Sequence, residues 1–222
     1  MNYEEITRED IVNYRGYRKD IKGDKFSLYI SNYPANAQYL RSRIGNPEQV
    51  LAELCCSIGV TLEYLALGFK KVIGVDLDKD ILEECRTNLE ESGLTAQAEL
   101  IRGDVFDDNV LRNIKADTVV YDIPFWYPHK QENQGSLIDK NPPLEELISK
   151  IRKYITYDII IFSPPEWSYE YFSKKLGVIE YEQVFIDGQH NRNQIYLGDL
   201  VKAEGLTKVE IDSSLPRAGS KH

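Results

Sequence analysis

Val50-Leu51-Ala52-Glu53-Leu54-Cys55-Cys56-Ser57-Ile58-Gly59 runs from an apolar pentad into a turn of small residues, and seventeen residues past Gly59 the run Val72-Ile73-Gly74-Val75-Asp76 ends on an acid. Each apolar run has the length of a buried strand. Thr61 to Leu67 between them reads as a helix ended by Gly68. The same alternation continues outward. Asp80 to Ser92 places Ile81, Leu82, Cys85 and Leu89 on one helical face, and Gly93 closes it. Ala98-Glu99-Leu100-Ile101 reads as a third strand, Val105 to Ile114 as helical, and Asp117 to Tyr121 as a fourth strand. A helix over Leu144 to Tyr154, a fifth strand over Tyr157 to Phe162 and a helix over Tyr169 to Leu176 follow. Two late strands, around Glu182 to Ile186 and Gln194 to Leu197, have no room for a helix between them.

Strands that alternate with helices at this spacing make a mostly parallel sheet covered on both faces. The last pair, joined across Asp187 to Asn193, can only be a hairpin. The expected fold is therefore α/β, a doubly wound, Rossmann-like seven-stranded sheet, mostly parallel with an antiparallel C-terminal hairpin. Residues 1–48 form an N-terminal extension, 49–212 the main domain, and 213–222 a polar, disordered tail. The alternation alone suits a nucleotide-binding dehydrogenase or a flavodoxin-like domain equally well.

Composition narrows the class. A chain of 222 residues buries enough apolar surface to fold without disulfides or a structural metal. No apolar run is long enough for a membrane span, and Met1-Asn2-Tyr3-Glu4-Glu5 is not a signal peptide, so a cytoplasmic protein is expected. Cys55, Cys56 and Cys85 form no Cys-x-x-Cys pair and do not cluster with His129, His190 or His222, so no metal site is expected. Cys55 and Cys56 read as small buried residues at a strand end.

A net charge of −9 argues against a broad electrostatic grip on nucleic acid. One local exception is Arg15, Arg18, Lys19, Lys22 and Lys25 beside Tyr14 and Tyr17, with Arg41 and Arg43 shortly after. Basic residues interleaved with aromatics hold phosphates and stack bases. The alternative is a solvated surface with tyrosines beneath it.

Ligands of such sheets lie over the carboxyl ends of the strands, where three acids stand in register: Glu53, Asp76 and Asp104. After Glu53, small residues occupy alternate positions, Cys55, Ser57 and Gly59, as a tight turn beside a ligand requires. The three glycines that seat a pyrophosphate are missing, which points away from a dinucleotide and towards a cofactor without phosphates. Asp76 suits the two hydroxyls of a ribose. The alternative is a helix N-cap, for which Asp78 and Asp80 compete. Asp104 is also open to a capping role.

The fourth strand runs into Asp122-Ile123-Pro124-Phe125-Trp126-Tyr127-Pro128. This resembles the signature of amino-group methyltransferases, an Asp, Asn or Ser followed by two prolines and an aromatic, with Ile123 in place of the first proline. An exocyclic amine on a base ring is a poor nucleophile because its lone pair is delocalised. A carboxylate and a carbonyl, both acceptors, hold its N–H groups and turn the lone pair outward, while proline stiffens the turn and an aromatic stacks the ring. Phe125 to Tyr127 has a plainer alternative as a hydrophobic plug. Ser163-Pro164-Pro165-Glu166-Trp167 after the fifth strand is a rival motif, though chain order favours Asp122 and makes the rival a pocket wall. The long polar loop after Tyr127 suits a substrate lid.

Together, residues 26–165 are similar to the class I S-adenosylmethionine-dependent methyltransferases, and resemble the trimethylguanosine synthase group, RNA cap guanine-N2 methyltransferases, with their prokaryotic relatives. The resemblance implies S-adenosyl-L-methionine as cofactor. It implies that Glu53, Cys55, Ser57, Gly59, Asp76 and Leu77 hold it, with Asp104 at the adenine amino group and Val105 flanking the ring. Catalytic roles fall on Asp122 and the Pro124 carbonyl as amine acceptors and on Phe125 and Trp126 as stacking rings. The stretch Phe26 to Pro34 resembles the family segment that helps close over the cofactor. The expected activity is N-methylation of an exocyclic amine of an RNA base, guanine N2 favoured, with RNA as partner. A protein or small-molecule substrate, or a non-catalytic binding module, are the alternatives.

Overall fold

The computed structural model describes residues 3–122 and 144–214. Among these residues eight strands form one sheet: β1 (Val50–Leu54), β2 (Lys71–Asp76), β3 (Ala98–Arg102), β4 (Thr118–Asp122), β5 (Ile159–Ser163), β6 (Glu180–Ile186), β7 (Gln189–Leu197) and β8 (Gly205–Ile211). Their order is β3-β2-β1-β4-β5-β7-β6-β8. The first five are parallel, β7 is antiparallel to β5 and β6, and β8 runs parallel to β6. Seven of these strands follow the sequence reading. The eighth corrects it: β8 carries Lys208 and Glu210, leaves Leu206 58% exposed, and has the weak apolar signal of an edge strand.

The helices described are α1 (Arg8–Arg15), α2 (Lys25–Ile30), α3 (Pro34–Ile44), α4 (Val60–Ala66), α5 (Lys79–Glu91), α6 (Asp108–Asn113), α7 (Leu144–Tyr154) and α8 (Tyr169–Leu176). They cover both faces of the sheet. Ala52, Ile73, Val119 and Ile161 face a core closed by Leu147 and Ile151 of α7 and Phe172 of α8. Leu51, Val72, Val120 and Ile160 face the other, closed by Leu40 of α3, Leu62 of α4 and Cys85 of α5. Adjacent strand residues belong to opposite cores, as the two-residue strand period requires. No described helix is long and apolar enough to cross a membrane.

Residues 3–48 are largely helical and packed. Ile11, Tyr17, Ile21 and Leu28 bury themselves against Ile58 and Val60, at the start of α4. Asn88 of α5 fastens this joint: it accepts from the Lys22 amide at 2.7 Å and donates to the Lys22 and Ile58 carbonyls at 3.1 and 2.9 Å. A buried polar chain then crosses from α4 to the C-terminal strands. Asn32 donates to Thr61, Asn36 to Asn32, Gln194 to Asn36, and Tyr196 to Gln194 and Glu182.

The hairpin differs from the sequence reading. Its turn is Asp187-Gly188, both at positive φ (50° and 77°), and Ile186 already pairs with Gln189. Asp-Gly is the pair that the tight type I′ turn selects. Residues 189–193 are therefore strand, not loop. Val184 pairs with Arg192 and Phe185 with His190, so Asn191 is an extra residue, a bulge.

Candidate active site

The loop after β1 decides the geometry of the sheet's carboxyl edge. Cys55, Ser57 and Gly59 all have positive φ, 63°, 50° and 83°. These are the alternate positions that the sequence reading singles out for small residues. The backbone takes a glycine-like path at all three, although only one is glycine. At Gly59 a Cβ would meet the Cys85 sulfur at 2.4 Å, so no larger residue fits there. A left-handed conformation costs an L-residue roughly 1–2 kcal/mol, offset in part because glycine loses more chain entropy on folding. Ser57→Gly is therefore expected to stabilise the fold by about 0.5–1 kcal/mol. Ser57→Val, β-branched at the same φ, is expected to destabilise it by more than that, and thermal unfolding of the two variants checks the sign.

The loop is tied to β2 by Asp76. Its Oδ2 accepts from the Ser57 amide at 3.0 Å and its Oδ1 from the Asp78 amide at 3.1 Å. Asp78, not Asp76, caps α5, accepting from the Asp80 and Ile81 amides. Likewise Asp107 caps α6, while Asp104 accepts from the Phe106 amide two residues on, at 2.9 Å. The capping alternatives thus belong to neighbours of the two acids.

All four candidate carboxylates lie at the carboxyl ends of the adjacent strands β3-β2-β1-β4. The half-buried Cys55 thiol is pushed well up, first by burial and then by the charges of Asp76, Asp122, Glu53 and Asp104. Leu77 is 59% exposed and Val105 is buried. Glu53 is only 2% exposed, and its Oε2 has no hydrogen-bond partner among the described residues. Burial, followed by the Asp122 charge, raises its pKa well above the usual carboxylate range, against a hydrogen bond from Thr61 and the Arg192 charge. An orphaned buried carboxylate oxygen costs about 1–3 kcal/mol or more unless a ligand satisfies it.

Asp122 ends β4 with its side chain 24% exposed. Burial raises its pKa, and Arg192 opposes that rise. Arg192 stands across from it on β7, Nη1 lying 3.7 Å from Oδ2, with its guanidinium 4.8 Å from the centre of the Phe162 ring. Arg192 is the residue the sequence reading missed, because 187–193 read as a loop. The Asp187-Gly188 pair is the signal that could have placed it on a strand. Pro124, Phe125 and Trp126 lie outside the described residues, as do the polar loop to residue 143 and the tail from 215.

The rival motif is engaged internally. Asn193 donates to the Pro164 carbonyl at 2.6 Å and to the Ser163 hydroxyl at 3.3 Å, and Ser163 is fully buried. Those acceptors are occupied. The N-terminal basic cluster is also largely spoken for. Arg18 pairs with Asp20, Glu63 and Glu91, Lys22 with Glu91, and Arg15 donates to the Ser31 and Tyr29 carbonyls. Arg15 lies 4.2 Å over the Tyr33 ring and, with Tyr14, Tyr29 and Gln189 of the hairpin, lines a cavity of about 160 Å³. Arg43 is buried against Glu180 at 2.8 Å. The tyrosine-flanked stretch is a packed wall more than a free phosphate-binding face.

The sheet order, with five parallel strands and an antiparallel β7 inserted between β5 and β6, is decisive. This is the class I S-adenosylmethionine-dependent methyltransferase fold. Residues 51–137 match a family model described as a methyltransferase domain. Among solved structures, a candidate methyltransferase from Porphyromonas gingivalis W83 superposes with a TM-score of 0.64 at 15% identity, over 81% of this chain and 43% of that one. The chain thus spans less than half of that protein's length. A candidate RNA methyltransferase from Pyrococcus horikoshii gives a TM-score of 0.55 at 20% identity, over 86% of this chain and 97% of that one. A TehB-like methyltransferase from Corynebacterium glutamicum gives 0.52 at 14% identity, over 78% and 92%. S-Adenosylmethionine is the cofactor that the matching domain family implies, and the orphaned Glu53 oxygen and the glycine-like loop fit a cationic, phosphate-free ligand. Among the described residues no group of His, Cys, Asp and Glu is placed to hold a metal ion.

Proposed function

We propose that the protein is an S-adenosylmethionine-dependent N-methyltransferase that acts on an exocyclic amine of an RNA base. The observation carrying this reading is the placement of Glu53, Asp76, Asp104 and Asp122 along one carboxyl edge of four adjacent strands, beside the glycine-like loop that Asp76 holds. In this reading Asp76 takes the ribose hydroxyls, Asp104 the adenine amine, and Leu77 and Val105 flank the adenine ring. Glu53 takes donors of the cofactor's cationic end. Bound there, S-adenosylmethionine supplies an electrophilic methyl group on a sulfonium. Asp122 accepts an N–H of the substrate amine, aims its lone pair and stabilises the positive charge that grows on nitrogen. The Pro124 carbonyl is the second acceptor, and Phe125 or Trp126 the stacking ring. Residues 1–48 form the wall that closes the site.

RNA as carrier is supported by the Pyrococcus relative, whose length this chain nearly spans. A second reading, a free nucleoside or another small molecule, is favoured by the internal pairing of Arg18 and Lys22. Transfer of tritiated methyl to total RNA, total protein and a small-molecule pool separates the readings. Label in RNA is the expected result, and label in protein alone overturns the proposal.

Glu53 supplies an independent check. Its raised pKa in the free protein falls when a cation binds beside it, so the complex holds fewer protons than the free partners. Cofactor affinity is then expected to rise with pH up to the raised pKa of the free protein. Binding enthalpies measured in buffers of different ionisation heat are expected to reveal net proton release. Enthalpies independent of the buffer would remove Glu53 from the cationic end of the site.

A further inference from the structure

The feature that the function above leaves unused is Arg192. It is a cation next to a strand bulge, its side chain is only 11% exposed, and its Nη1 is buried without a hydrogen-bond partner among the described residues. Bulges beside active sites re-aim side chains, and here the guanidinium is braced over the Phe162 ring and directed to the carboxylate of Asp122. At 3.7 Å the two groups are an ion pair but not a hydrogen-bonded fork. An arginine buried for structural reasons alone normally closes such a fork, because leaving the N–H orphaned costs stability. What stands at the end of β4 is an obligate acceptor beside an obligate donor, since guanidinium stays protonated in proteins.

Resting on the N-methyltransferase reading, we propose that Arg192 is a specificity-determining residue that donates to a ring acceptor adjacent to the amine held by Asp122. The pair then fits an edge on which an amine stands next to an acceptor. Adenine offers this with its N6 amine beside N7 or N1, and cytosine with its N4 amine beside N3. On guanine the N2 amine has the N1–H donor on one side, which a guanidinium opposes, and on the other side N3, an acceptor that the ribose on N9 crowds. The substrate is therefore an adenine or cytosine amine. This departs from the guanine N2 preference that the family resemblance implies.

The test labels total RNA, and separately free adenosine, cytidine and guanosine, with tritiated methyl from the cofactor and the full-length protein. The products are resolved as nucleosides. The expected result is label in an N-methylated adenine or cytosine. Label confined to guanine overturns the Arg192 assignment and leaves the methyltransferase reading standing. An absence of label in every arm, with cofactor bound, overturns both. Arg192→Met is expected to raise KM for the labelled base by roughly 10- to 100-fold, as loss of a charged hydrogen bond does. Cofactor affinity is expected to stay unchanged. Arg192→Gln, which keeps a donor and guards against misfolding of the methionine variant, is expected to recover part of the loss. An unaltered KM in both variants defeats the proposal.

Discussion

Asp122→Ala is expected to reduce methyl transfer by at least about a hundredfold while cofactor affinity stays within a few-fold. The size follows from what removing one preorganised polar group at a developing charge typically costs, roughly 10²–10³ in rate. The selectivity for rate over cofactor binding follows from position. Asp122 ends β4, whereas the groups assigned to the cofactor end β1, β2 and β3. Alanine also strips Arg192 of its described counter-ion, so the variant needs a thermal melt beside the assay. Asp122→Asn separates the causes. It keeps an acceptor oxygen at nearly the same place without the charge, and an intermediate rate is expected, since the charge-assisted bond is about twice as strong as the neutral one. Equal rates for wild type and alanine variant would move the substrate side away from β4.

Asp76→Ala carries the second large effect, this time on binding. Asp76 is assigned the ribose, and it also holds the Ser57 amide and so the shape of the loop. Hydrogen bonds to a charged group contribute about 1.5–3 kcal/mol, so S-adenosylmethionine affinity is expected to fall roughly 10- to 100-fold. Titration calorimetry measures it. Asp76→Asn retains an acceptor for the Ser57 amide and is expected to fall between. Ser57→Gly, which keeps that amide, is expected to bind normally. An alanine variant with wild-type affinity would place the ribose elsewhere.

The order of strands and helices from Val50 to Leu176 was legible because buried strands are short unbroken apolar runs and the helices between them carry an apolar stripe. Both patterns are local. The loop from Glu53 to Gly59 was legible as a position but not as a shape. Two of its small residues are not glycine, and only the fold shows that Cys55 and Ser57 adopt a glycine-like backbone, held by the Asp76 carboxylate from the next strand. The basic stretch at Arg15 to Lys25 was misleading for the converse reason. Its charges are visible in sequence, while the carboxylates of Glu63 and Glu91 that neutralise Arg18 and Lys22 come from α4 and α5.

By itself, the amino-acid sequence determined the α/β alternation, the acids that end successive strands and the absence of a dinucleotide turn, since these rest on neighbours along the chain. Tertiary structure alone decided that the four acids share one edge of adjacent strands and that β8 adds an edge. It alone decided that a bulged strand seventy residues away brings Arg192 opposite Asp122. The physical reason is that charge pairing and desolvation depend on distance through space, which a strand order with crossovers separates from distance along the chain.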